Sequence, residues 1–252
     1  MNEMLKIISL KENEIDTYVE KRLFELDNTT NYKKISLSDD GGNIYNEWIN
    51  PETPYLPSGY RSKGFKIDKK FFEELVGDIK TKFGQVPEER LVSKVNENFL
   101  IKWLNMYTIV YFGGDYDERK RKEIYGYGSL NSIGKTIDIS ELKGQNVARC
   151  LEISSALNSA YKFLGIDSSL VLSKANGVGH AYCLVNSENK RMIVDPNFYG
   201  LDENNKGIPC IFDFDINSKS CIYDPKEHGD VYTPRVDYEF PYHKITNKKH
   251  RI

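Results

Sequence analysis

Apolar positions recur along the first two thirds of the chain at steps of three and four residues. Ile15, Tyr18, Val19, Leu23 and Leu26 predict an amphipathic helix over residues 13–27. A second is predicted over 68–83, capped by Asp68, with Phe71, Phe72, Leu75 and Ile79 inward. A third begins after Pro87 and carries Leu91, Val95, Phe99 and Trp103. Tyr107 to Phe112, β-branched and aromatic and halted by Gly113-Gly114, predicts a strand. The mixed charges of DYDERKRKEIY, 115–125, predict a solvated helical face. A further helix is bracketed by Asn146 as N-cap and Gly165 just past its end, with Cys150, Ile153, Leu157, Ala160 and Leu164 on one stripe.

From there the rhythm changes to runs typical of strands: 180–185 and 190–195 around the polar turn Asn186-Ser187-Glu188-Asn189, then 208–214 and 221–223. The aromatic-rich stretch 232–242 is expected to close the core, with the lining of a substrate groove as the weaker alternative, and NKKHRI reads as a disordered tail. Residues 28–62, with Gly41-Gly42, Pro51, Pro54 and Pro57, read as loop and as the best boundary, with a lid over the site as a weaker alternative to plain linker. Helices first and strands later predict an α+β fold: a helical, loop-rich extension over 1–85, then a domain over 86–252 whose core is roughly 86–225, the two forming either separate units or one continuous domain.

Charge changes little in this picture. Lys and Arg number 35 against 37 for Asp and Glu, so no strong field favours nucleic acid or an acidic membrane. MNEMLKIISL is too short and too soon followed by charge for a signal peptide or a membrane span. The four cysteines, 150, 183, 210 and 221, lack C-x-x-C spacing, which argues against zinc; no metal or cofactor is expected. A Cys210–Cys221 disulfide has no support beyond proximity in sequence. GSLNSIGKT at 128–136 nearly matches a phosphate-binding loop, but five residues instead of four separate its glycines and a strand-like run follows, so nucleotide binding is not expected.

One cysteine, one histidine and one aspartate change the picture more. Cys150 falls in the first turns of its helix, where unpaired N–H groups favour an anion and can bind the oxyanion of an acyl intermediate. If the hairpin turns between Ser187 and Glu188, His180 stands directly across from Asp195. A slip of one residue would put the partner on the other face. The carboxylate would fix the imidazole tautomer and leave the other ring nitrogen to take the thiol proton. Taken singly, each has a structural reading: a buried core thiol, a histidine satisfied by a local partner. Cys183, out of phase with His180, reads as structural, and His228, His243 and His250 as surface residues.

At these residues the sequence resembles a family. ARCLEISSALNSAYKFLGIDSSLVLS, then GHAYCLV, then MIVDPN is similar to the core of the transglutaminase-like, papain-related cysteine enzymes, over about a fifth of the chain. The resemblance implies a Cys helix packed on an antiparallel sheet that carries His and Asp, with Cys150, His180 and Asp195 at the catalytic positions. Ala148-Arg149-Cys150 departs from the family's Gly-x-Cys. By analogy with the papain-like glutamine, Gln145 is a candidate oxyanion donor, with Asn146 beside it.

The expectation is thiol-dependent acyl transfer on amide bonds of a protein or peptide. Water as acceptor gives a peptidase or glutamine deamidase, an amine a transglutaminase. An arylamine-type acetyltransferase shares the three residues but carries its Cys much nearer the N-terminus. The rival class is a binding or scaffold protein that keeps the fold alone. A reduced thiol fits a cytoplasmic site of action, with export by a route lacking a readable signal left open.

Overall fold

The order of elements follows the change of rhythm in the sequence. The structure, a computed structural model, describes residues 2–29, 34–36, 43–45, 65–87, 89–91, 96–113, 117–125, 136–175, 178–187, 190–201, 207–213, 221–223 and 236–239. Its helices are α1 (Asn2–Ser9), α2 (Ile15–Thr29), α3 (Lys69–Phe83), α4 (Glu97–Phe112), α5 (Glu118–Tyr125) and α6 (Cys150–Phe163). Its strands are β1 (Lys34–Ser36), β2 (Asn43–Tyr45), β3 (Phe65–Lys66), β4 (Ile137–Asp138), β5 (Ser168–Ala175), β6 (Val178–Ser187), β7 (Lys190–Leu201), β8 (Gly207–Asp213), β9 (Cys221–Tyr223) and β10 (Val236–Glu239). The chain is an α+β protein. No helix among the described residues is long and apolar enough to cross a membrane.

Strands β5, β6, β7 and β8 form an antiparallel meander, and β2 and β10 both pair with the free edge of β5 at different residues. Helix α6 lies across β5, β6 and β7, and α4 packs on α6, β7 and β8. The apolar stripe of α6 is only part of its buried surface. Ser154, Ser155, Asn158 and Ser159 are buried as fully as Leu157 and Ala160, because this helix is enclosed by sheet and helices on most sides. Small polar side chains permit that close approach, and two of them bond to the sheet: Ser154 donates to Ala181 O at 2.9 Å, and Ser168 donates to Asn158 Oδ1 at 2.8 Å.

The end of α6 is built as its sequence implied. Gly165 takes φ +78°, Ile166 N–H donates to Tyr161 O and Gly165 N–H to Lys162 O, the paired bonds of a Schellman motif. Arg22 of α2 donates to the Phe163 and Lys162 carbonyls, a cation at the negative end of the helix. Phe163 stacks on Phe72 of α3 with ring centroids 5.0 Å apart, so the N-terminal helices seat the far end of the helix that Cys150 begins. Met4 and Ile7 of α1 belong to the same buried cluster as Leu157 and Val194.

Several expectations are corrected. Tyr107–Phe112 is the last part of α4, not a strand: Thr108, Tyr111 and Phe112 are buried while Val110 is 72% exposed, a helical rather than an alternating pattern. Packing of the Leu100, Leu104, Thr108 and Tyr111 face overrode β propensity. The helix starting after Pro87 is not continuous with the one carrying Phe99; α4 has its own cap, Asn96, which accepts from Phe99 N–H. Phe99 is 38% exposed rather than inward. Asp68 stands at the N-cap of α3 but bonds Ser140 instead of its own helix. MNEMLKIISL contains helix α1. In the segment read as loop, 34–36 and 43–45 form strands that reach the sheet. The rest of 30–64, most of the near phosphate-loop match, Val95, His228, His243, His250, the tail, and the side chains of Cys210 and Cys221 lie outside the described residues.

Candidate active site

Helix α6 begins at Cys150, so Asn146 is not its N-cap; Arg149 is. The signal was Glu152, three residues after Arg149, which accepts from Arg149 N–H at 3.2 Å, the glutamate half of a capping box. Cys150 is therefore the first helical residue, and the first-turn N–H groups have no carbonyl within the helix to bond. Its side chain is half-buried.

The hairpin places the other two residues. Strand β6 pairs with β7 from Cys183 opposite Val194 to Ser187 opposite Lys190, so the turn is centred one residue later than expected. His180 is not directly across from Asp195; continuing the register would put Asn197 there. The slip is two residues, which keeps His180 and Asp195 on one face. Pairing ends at Cys183 with Val194, and beyond it side chains bridge the two strands. His180 Nε2 donates to Asp195 Oδ2 at 2.7 Å, and Asn197 Nδ2 reaches Ala181 O at 3.5 Å. Between Asp195 and Tyr199, a stretch that includes Pro196 with its missing N–H, β7 departs from regular pairing with β8.

Asp195 is wholly buried and His180 8% exposed, so the carboxylate must be satisfied inside the protein. It is: Oδ2 accepts from His180, and Oδ1 accepts from Asn197 N–H at 2.9 Å and Asn197 Nδ2 at 3.1 Å. Asn197 is a residue that the sequence reading overlooked. The signal was Asp-Pro-Asn, since an aspartate that accepts from the N–H two residues on makes an Asx turn.

Cys150 neighbours the His180 imidazole and acts on its titration. Because a carboxylate only accepts, Nε2 carries its proton toward Asp195, and Nδ1 is the nitrogen left for the thiol. Burial alone would lower the His180 pKa; the charge of Asp195 and the hydrogen bond to it, followed by the bond and charge of Cys150, outweigh burial and raise it to about 10. Cys183, by contrast, is buried with its Sγ donating to Ser154 O at 3.3 Å, and burial pushes its thiol well above the usual value. Ser154 is one turn after Cys150 and Ala181 follows His180, so the bonds of Ser154 to Ala181 and Cys183 fix the helix on the strand close to both groups.

The two oxyanion candidates fare differently. Asn146 has φ 61°, its N–H bonds Phe112 O, its carbonyl accepts from Asp117 N–H, and its side chain is lodged against Gly113, where an added Cβ would meet Oδ1 at 1.7 Å. It is a corner residue between α4 and α5. Gln145 is half-buried, and its N–H is committed to Leu142 O. No group of three or more His, Cys, Asp or Glu placed to hold a metal occurs among the described residues.

Two buried residues near the start of α6 were also missed. Arg121 was read as part of a solvated face but is 7% exposed and pairs with Glu152 at 2.6 Å; Tyr125 bonds the same carboxylate at 2.9 Å. Glu152 belongs to another helix far along the chain, so no local pattern marked its pairing with Arg121. Searches of protein-family models, curated proteins and solved structures return no match to this chain.

Proposed function

We propose that the protein is a thiol-dependent acyl-transfer enzyme of transglutaminase-like type, acting on amide bonds of a protein or peptide. The observation that carries this reading is the buried His180–Asp195 pair, its carboxylate held by Asn197, with Cys150 acting on the same imidazole. A histidine whose pKa is raised to about 10 is protonated at neutral pH and so holds a proton to give to a leaving group.

In the proposed reaction the Cys150 sulfur attacks the amide carbonyl, and the carbonyl oxygen takes up the electron pair while first-turn N–H groups of α6 bind it. The C–N bond then breaks, and the proton held on His180 Nδ1 passes to the leaving nitrogen, giving a thioester and a free amine. Water or a second amine loses a proton to His180 as it attacks the thioester, and the Cys150 sulfur departs as thiolate. Asp195 keeps its own charge and holds the imidazole in one tautomer.

The test is incubation with a library of glutamine-containing peptides in the presence of a labelled primary amine, read by mass spectrometry. Gain of one mass unit marks deamidation, incorporation of the amine marks transamidation, and shortened peptides mark peptidase action. The reading requires at least one of these, abolished in Cys150→Ser. None of them, across peptides and folded protein substrates, leaves the fold with a binding role.

A further inference from the structure

We infer that Arg121, Glu152 and Tyr125 are positioning residues which lock the approach to Cys150, the segment 146–149, and so set the direction in which the thiol emerges from α6. This rests on the acyl-transfer reading of Cys150.

The segment is gripped at three successive points. Asp117 N–H, at the start of α5, donates to Asn146 O at 2.7 Å. Arg121 Nη1 donates to Val147 O at 2.8 Å. Glu152 accepts from Arg149 N–H at 3.2 Å. The two side chains in this grip are joined to each other, Arg121 Nη2 to Glu152 at 2.6 Å, and Tyr125 closes the group by donating to Glu152 while its ring lies 4.3 Å beneath the Arg121 guanidinium. Arg121, Glu152 and Tyr125 are all buried.

Stability alone is a poor reason for such a group. Desolvating an ion pair costs about as much as the pairing returns, and apolar side chains of similar volume often serve as well or better. What a guanidinium adds is geometry: its planar fork holds a backbone carbonyl and a carboxylate at a fixed spacing, whereas the point charge of lysine sets no such spacing and an apolar side chain makes neither bond. The place where that geometry is spent is the four residues before the nucleophile. Here Ala148-Arg149-Cys150 has no glycine to shape the turn, and Arg121 and Glu152 shape it from outside.

The test uses the full chain and the rate of Cys150 carbamidomethylation by iodoacetamide near pH 6, well below each variant's melting temperature. Labelling of buried Cys183 serves as an internal report of unfolding. Arg121→Lys keeps the charge but not the fork. The double variant Arg121→Met with Glu152→Met keeps volume and removes the ion pair. With Cys183 still protected, both are expected to slow Cys150 by about tenfold or more, and Tyr125→Phe by less, as for a reacting group displaced by a fraction of an ångström. Should the double variant expose Cys183, Arg121→Lys decides. The inference is overturned if the folded variants react within about twofold of the unaltered protein. His180→Gln separates the two ideas. If it slows Cys150 while the cluster variants do not, only the positioning role falls. If Cys150 is slow in the unaltered protein and indifferent to His180, the acyl-transfer reading falls and this inference with it.

Discussion

His180 is the residue on which burial and charge disagree most, and charge wins. Taking an imidazolium out of water favours its neutral form, yet the buried Asp195 carboxylate next to it holds the proton on. The consequence for stability has a definite sign. A folded-state pKa raised above the ordinary value of about 6.5 gives a contribution that is complete below that pH and is lost as pH rises through the folded value, about 10. Between about pH 7 and 10 the unaltered protein should therefore lose on the order of 3 kcal/mol that Asp195→Asn does not lose, measured by urea unfolding at each pH. Parallel curves for the two proteins would show that the pair does not exist as described. That His180 and Asp195 meet could be read from the sequence, because order and spacing survive translation into geometry. Their exact pairing could not: the turn residue that sets register moved by one, the partner of His180 by two, and only parity kept the face. Asn197 escaped notice because its role is to a residue two positions away, in a motif noted only for its aspartate.

Among the elements, α6 and the corner that precedes it decide where the thiol goes. The corner is made by Gly113 at φ +89° and Asn146 at φ 61°, one packed on the other. A methyl group at residue 113 would collide with the Asn146 side chain and would also sit in a backbone conformation that L residues avoid. Gly113→Ala should cost about 2 kcal/mol or more in urea unfolding and slow Cys150 labelling, since the corner leads directly into 146–149. An unchanged midpoint would mean that the corner adjusts freely. Helix existence was legible where apolar spacing was regular, as in α2 and α3. It failed at Tyr107–Phe112, where residue type favoured a strand and the packing of a long helix prevailed. It also failed for the polar side of α6, where serines that look solvated are enclosed.

At the scale of the whole molecule, one buried cluster runs from Met4 and Ile7 through Phe71, Phe72 and Phe163 to Val194. Arg22 closes the carbonyl end of α6 from α2, so the segment before residue 86 supplies both apolar cover and a cap to the helix that begins at Cys150. A chain cut to 86–252 should then fail to fold cooperatively, giving weak near-ultraviolet circular dichroism and no sharp thermal transition. A truncated chain with a sharp transition would show that the second part carries a sufficient core by itself. The sequence could not reveal this closeness, because contacts between residues 140 apart, such as Arg22 with Lys162, leave no local periodicity.

The central claim is that His180 makes Cys150 a reactive thiol. The most direct measurement is the rate at which each of the four cysteines is labelled by iodoacetamide near pH 6, by peptide mass spectrometry, in the unaltered chain and in His180→Gln, which keeps a donor for the buried Asp195 carboxylate. The account predicts that Cys150 is labelled far ahead of the other three, and that His180→Gln slows it on the order of a hundredfold while Cys183 stays protected in both. Slow labelling of Cys150 at a rate that the His180 substitution leaves unchanged would contradict it.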